Sequence, residues 1–212
     1  EFSAVTFGHN QSGYFASANL IDIDVEPFKG IPGIRGISGY VEIEGDRSLF
    51  HIDDKDGFSL SFPKVYRNYL PVEQGLGTVY IHANTQEQTT VVRSSIIEAS
   101  LAEGDASFLF SVKQDSSKNR LAPVVTLIIG GTNLNASYST QYLPYTLSPS
   151  LLQWLQAANL SGNVKQFGLL QRFGPGIDGE RLRTTQLLLD IESADLDYHP
   201  QWLGLRDFDA TV

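Results

Sequence analysis

Strict alternation of apolar and polar residues is the feature that most constrains this chain. GISGYVEIEG sets Ile37, Gly39, Val41 and Ile43 against Ser38, Tyr40, Glu42 and Glu44. GFSLSFP sets Phe58, Leu60 and Phe62 against Ser59 and Ser61. DASFLFSV sets Ala106, Phe108, Phe110 and Val112 against Ser107, Leu109 and Ser111. TTQLLLDIE sets Leu187, Leu189 and Ile191 against Gln186, Leu188, Asp190 and Glu192. A period of two places successive side chains on opposite faces, so each segment predicts a strand with one apolar face. Turn sequences separate them: EGDR at 44–47, DKDG at 54–57, AEGD at 102–105 and DGE at 178–180. Spacings this short predict antiparallel hairpins and meanders.

PVVTLIIGG (123–131) is apolar at nearly every position and predicts a strand covered on both faces, with LNASYST as its continuation or hairpin partner. One segment has helical period. In SPSLLQWLQAANL, Ser148 is placed as N-cap and Pro149 as the first helical residue, predicting a helix over 148–158 that Gly162 stops. Leu151, Leu152 and Leu155 are expected to pack it onto the sheet and close one end of the apolar face. PKVYRNYLP (63–71) reads as a helical or irregular connection, and EPFKGIPGIRG (26–36) as a loop.

The chemistry offered is sparse. DDKDG (53–57) has the look of a calcium loop but runs into a strand without the distal glutamate, so it reads as a solvated hairpin turn. Asp22, Asp24 and Glu26, like the carboxylates of DLDYHP (195–200), read as the wet face of a strand. His9, His51, His82 and His199 have no metal-site spacing. GPGIDGE (174–180) reads as a turn, and no nucleophile elbow is present. No cofactor, metal or catalytic residue is called for. The absence of cysteine removes disulfides and thiolate chemistry. A net charge of −9 argues against nucleic acid and against a basic docking surface for anionic lipid. Apolar strand faces must nevertheless be covered by a second sheet, a helix or an apolar ligand. One short helix is too small to do it.

The last third carries a pattern of its own. LPYTLSPSLLQWLQAANLSGNV (143–164) resembles the segment of YhdP-like proteins in which a Leu-Pro motif precedes a short helix ending in Trp-Leu. Further on, Ala194, Leu196, Asp197, Tyr198, Pro200, Trp202, Leu205, Asp207 and Phe208 match that family's closing strand pair. The family usually has proline after that tryptophan, where this chain has Leu203. The resemblance spans 143–212 and is only architectural over 1–142. It implies membership of the AsmA-like clan, which includes TamB-like proteins: long envelope proteins whose repeated β-units form an apolar groove. They are thought to carry phospholipids between the inner and outer membranes.

The resemblance leads to a definite expectation. Residues 1–212 are one β-rich stretch of a longer, repeating protein: a mainly antiparallel, strongly curved open sheet with one or two short helices. Val212 is then a point inside a sheet, onto which a further strand pairs. The protein is expected to be periplasmic and not an enzyme, with its inner-membrane anchor and its contacts to both membranes outside this stretch. Its partners are phospholipid acyl chains, lying along Val41, Ile43, Leu60, Phe62, Val79, Ile81, Phe108, Phe110, Leu187, Leu189 and Ile191. Two alternatives stand beside it: a β-sandwich binding or adhesion module using Tyr14, Tyr66, Tyr69 and Tyr80 on a sugar or protein, and a glycoside-type hydrolase using Asp22, Asp24 or Asp53.

Overall fold

The computed structural model describes residues 1–10, 13–28, 31–117, 122–175, 181–199 and 201–212. The first strands are β1 (Phe2–Asn10), β2 (Gly13–Val25), β3 (Gly33–Glu44), β4 (Arg47–Asp54), β5 (Phe58–Ser61), β6 (Leu70–Val72) and β7 (Gln74–Asn84). They are followed by β8 (Thr89–Ser94), β9 (Ile97–Leu101), β10 (Gly104–Asp115), β11 (Val124–Asn135), β12 (Ser161–Pro175), β13 (Arg181–Leu196) and β14 (Leu205–Thr211). All fourteen belong to one sheet, and every pairing is antiparallel. The sandwich alternative therefore fails for the described residues: the strands form one sheet, not two facing ones.

Three lanes of this sheet are broken strands. Both β4 and β5 lie end to end along β3. Next to them β6 pairs β5 while β7 pairs β4. The third lane is β8 followed by β9, both flanked by β7 and β10. The fourteen strands thus fill eleven lanes, which at the usual strand spacing extend ~50 Å along the hydrogen-bonding direction.

The broken lanes surround the larger core. Ile37, Ile52, Phe58, Val72, Ile97 and Ala99 are buried together there, with Phe50, Leu60, Phe108 and Phe110 packed against them. Two glycines make room. A Cβ on Gly75 would stand 2.7 Å from the Phe58 ring, and one on Gly77 2.7 Å from Ile97 Cγ1. A smaller core gathers Ala136, Val164, Ile191 and Ala194, backed by Phe167, Leu189 and Phe208.

Several sequence expectations need correction. The 26–36 segment is not all loop, because β3 already begins at Gly33. The 123–131 strand is not covered on both faces: Ile128 is 45 % exposed. LNASYST continues β11 through Asn135 and then forms a 3₁₀ turn, Ala136–Tyr142. Its first free amide is held by Asn135, whose side chain accepts from Ser137 N–H at 3.0 Å. The 63–71 stretch is irregular until β6 begins at Leu70. The DGE turn and residues 176–180 of GPGIDGE lie outside the described residues.

The helix α1 (Pro149–Ala157) has the cap and first residue expected of it, with Ser148 accepting from Leu151 N–H at 3.4 Å. It ends where expected, with Ala158 as its C-cap, but the residue that turns the chain directly after it is Asn159 (φ 45°), ahead of Gly162. It docks only in part, with Leu152 and Leu155 half-buried. No residue of α1 is buried, and Leu151 and Trp154 are 41 % and 45 % exposed. Polar tethers also hold it: Trp154 Nε1–H donates to the Tyr198 carbonyl at 2.8 Å, and Asp197 N–H to the Ala158 carbonyl at 2.7 Å. Leu155→Ala is therefore expected to cost about 1 kcal/mol, short of the ~2–5 kcal/mol of a fully buried leucine. Urea denaturation measures this, and a loss above about 2 kcal/mol would show Leu155 in a packed interface.

Candidate functional site

Cross-strand register decides which side chains share a face, because directly paired residues point the same way. Ile43, Ser48, Ile81 and Val92 form one transverse row, continued by Val112, Val125, Phe173 and Arg183. The next row holds Val41, Phe50, Val79 and Ser94 on one flank and Phe110, Leu127, Gln171 and Thr185 on the other. Below it run Gly39, Ile52 and Gly77, then Ile97, Phe108, Ile129, Leu169 and Leu187. A fourth row runs from Gly75 through Ala99, Ala106, Gly131 and Phe167 to Leu189.

The apolar members slant across these rows. Near β3 they start at the first row, whereas across β12 and β13 that row ends in charge and the stripe has moved down to Leu187, Leu189 and Ile191. The stripe is open along its upper border: Ile43, Ile81 and Leu187 are 44 %, 38 % and 55 % exposed. The opposite face carries Tyr40, Glu42, Arg47, His51, Arg93, Ser111, Arg172 and Gln186, with Leu109, Ile128 and Leu170 as an apolar island.

Ten of the eleven residues expected to line the surface have defined places in this frame. Val41, Ile43, Val79, Ile81, Phe108, Phe110, Leu187 and Leu189 share one face. Ile191 continues it into the smaller core, and Leu60 packs against the larger one. Phe62 stands apart. It lies just past the end of β5, and its ring sits edge-on to Tyr66 at 6.3 Å. Sequence reading missed Phe50, Ile52, Val92, Leu127, Ile129, Phe167 and Leu169 on the same face. Leu127 and Ile129 were hidden in a continuous apolar run, where alternation has no contrast.

Carboxylates and hydroxyls border the stripe for a structural reason. Ladder register slips in β1, β2, β3, β12, β13 and β14, each slip leaving extra residues and unpaired amides. A side chain from the adjoining lane often fills the gap. Asp24 Oδ1 accepts from Gly36 N–H at 2.9 Å, where Gly36 takes φ +76°. Ser94 Oγ accepts from Phe110 N–H at 2.9 Å and Ser95 Oγ from Thr78 N–H at 2.9 Å. Asp195 accepts from Asp207 N–H and Asp209 from Ser193 N–H, both at 3.0 Å, and both donors have positive φ.

Asp54 is the extreme case. It is 2 % exposed and accepts from Ser38 N–H at 2.7 Å, Gly57 N–H at 2.7 Å and Asp56 N–H at 3.2 Å. The expectation of a solvated turn at 53–57 is thus corrected, because the turn is built around a buried carboxylate. Asp24 and Asp195, read as strand wet face, are backbone caps. Asp53, offered as a hydrolase carboxylate, makes only a surface pair with Lys55 at 3.8 Å.

Ionisable side chains elsewhere form local pairs. Lys165 is raised above its ordinary value by its hydrogen bond to Glu192 at 2.8 Å. Asp197 is lowered by its hydrogen bond from Arg206, which is raised in turn by the same contact. Burial pushes the Tyr66 phenol upward. Among the described residues no group of three or more His, Cys, Asp or Glu is arranged to hold a metal ion, and no helix is long and apolar enough to cross a membrane.

A family model described as YhdP protein matches residues 3–212. No curated protein and no solved structure matches the chain. The match reaches far beyond 143–212, into the N-terminal two-thirds, where the sequence offered only alternating strands to compare. The chain belongs to the YhdP protein family.

Proposed function

We propose that the slanted stripe is part of the lining of a lipid conduit in the bacterial envelope, a non-enzymatic, periplasmic segment along which phospholipid acyl chains lie between inner and outer membranes. One observation carries the reading. An apolar face runs through successive lanes of a single sheet, and its border residues Ile43, Ile81 and Leu187 remain open. A sheet in water leaves such a face uncovered at a large cost unless something apolar occupies it. Each methylene of an acyl chain placed there gains ~0.8 kcal/mol. The attraction is non-directional, so a chain held by many near-equivalent contacts meets no single deep trap. Chains lying there would be reached from the open border at Ile43, Ile81 and Leu187.

Native mass spectrometry of the purified chain tests this. Phospholipid adducts are expected on the folded protein, retained after detergent removal. A folded protein that leaves cells free of lipid, and takes none up from detergent-solubilised phospholipid, would rule the conduit out.

A further inference from the structure

We propose that the cleft between residues 66–68 and the 140–156 segment is a seat for the phosphate diester of an anionic phospholipid headgroup, a reading that rests on the lipid-conduit proposal and adds to it a polar site. The cleft has a volume of about 470 Å³, within the range of ~300–1,000 Å³ typical of small-ligand sites. Tyr66, Arg67, Asn68, Leu152, Gln153 and Gln156 line much of it. Among the described residues Arg67 is the only formally charged one in its wall, in a protein of net charge −9. Among the described residues Arg67 forms no ion pair. Its guanidinium instead lies 5.8 Å from the centre of the Tyr145 ring.

A planar guanidinium without a carboxylate partner matches a phosphate, which it can hold through two parallel hydrogen bonds. The amides of Asn68, Gln153 and Gln156 supply further neutral donors around it. The Tyr66 phenol, in the wall of the same cleft, is another.

The rim is braced before any ligand arrives. Tyr145 Oη–H donates to the Pro63 carbonyl at 2.7 Å, and Tyr145 N–H to the Val65 carbonyl at 3.0 Å. The cleft lies beside Phe62, near the larger core. Tyr66 N–H donates to the Phe62 carbonyl at 2.8 Å and its ring meets the Phe62 ring, while Leu60, two residues earlier, packs into the larger core. A molecule with its phosphate in the cleft would have the Phe62 ring beside it as a first apolar contact for its chains. A second hollow, of about 560 Å³ on the polar face, sets Glu42 and Glu44 beside Arg47 and Arg93, so its charges oppose one another and select no anion.

The experiment compares dioleoyl phosphatidylglycerol with dioleoylglycerol, which has the same chains and no phosphate, for binding to the whole chain in detergent. The phosphatidylglycerol is expected to bind about tenfold more tightly, a difference of about 1.4 kcal/mol. Arg67→Gln should bring the two lipids level without weakening dioleoylglycerol, which also shows that the variant is folded. Arg67→Lys should keep part of the preference. Equal binding of both lipids by the parent protein, or a preference unchanged in Arg67→Gln, overturns the headgroup seat and leaves the conduit standing. Binding of neither lipid overturns both. Inorganic phosphate is the third probe. Arg67-dependent broadening of its phosphorus resonance, with no preference between the lipids, would make the cleft a free-phosphate site and also overturn the proposal.

Discussion

Replacing Asp54 with alanine is expected to destabilise the protein by about 3–5 kcal/mol, since hydrogen bonds to a buried charge are worth ~1.5–3 kcal/mol each and losses within one group are not additive. The carboxylate satisfies three backbone amides at once, from Ser38, Asp56 and Gly57. Alanine leaves those donors facing apolar neighbours in the break between β4 and β5, where water cannot fully replace the lost acceptor. The damage should spread, because that break shapes the larger core. Phe58 enters the core directly after Gly57, and Ile52 lies two residues before Asp54. Asp54→Asn keeps one acceptor oxygen and should fall between the two. Asp53→Ala is the control, because Asp53 is exposed and holds only a surface pair. Urea midpoints at pH 7 give the comparison. Equal shifts for Asp53→Ala and Asp54→Ala would show that the buried carboxylate does not organise the break.

Leu187→Asp is expected to lower phospholipid binding by the chain, and transfer by the full-length protein, at least tenfold while leaving the fold intact. Leu187 is on the stripe yet 55 % exposed, so in the empty protein its replacement keeps most of its water. With acyl chains in place the same carboxylate is stripped of water and has no partner, at a cost of several kcal/mol. Gln186→Asp supplies the contrast: it lies next in sequence but faces the other way, opposite Leu170. Phe110→Asp is a poorer probe, since Phe110 packs against the larger core and a charge there attacks folding itself. If folded Leu187→Asp protein bound and moved lipid as well as its parent, the stripe would not be the conduit lining.

The faces of this sheet were legible because alternation survives wherever the ladder is regular. Val41 with Ile43, Phe108 with Phe110 and Leu187 with Leu189 were assigned to one side correctly, and the turns at 44–47, 54–57 and 102–105 sit where glycine and aspartate placed them. The register slips were harder to see. Their trace is a spacing of three where two is expected, as between Ile34 and Ile37, Leu20 and Ile23, or Ile191 and Ala194. Read strand by strand, that spacing looks like weak alternation. Only when the neighbouring lane is known does Asp24 become the cap of Gly36 and not a wet-face carboxylate. The loose docking of the helix was illegible for a related reason. Its apolar face was plain in the sequence, but whether a surface exists for it depends on the irregular connections around it.

The order of pairing has a consequence for how such a molecule is made. Every strand after the first pairs with one that precedes it in the chain: β5 returns to β3, β7 to β4, β9 to β7, and the rest to their immediate predecessors or to a lane already laid down. Apart from β1, which pairs with β2, no strand must wait for a later one to have a partner. A chain emerging from its N-terminus can therefore be zipped up lane by lane, each new segment finding a single waiting edge. Such growth keeps loop-closure costs local and exposes only one growing edge to wrong partners at a time. For a sheet of this length, synthesis and folding can proceed in the same direction and at the same pace.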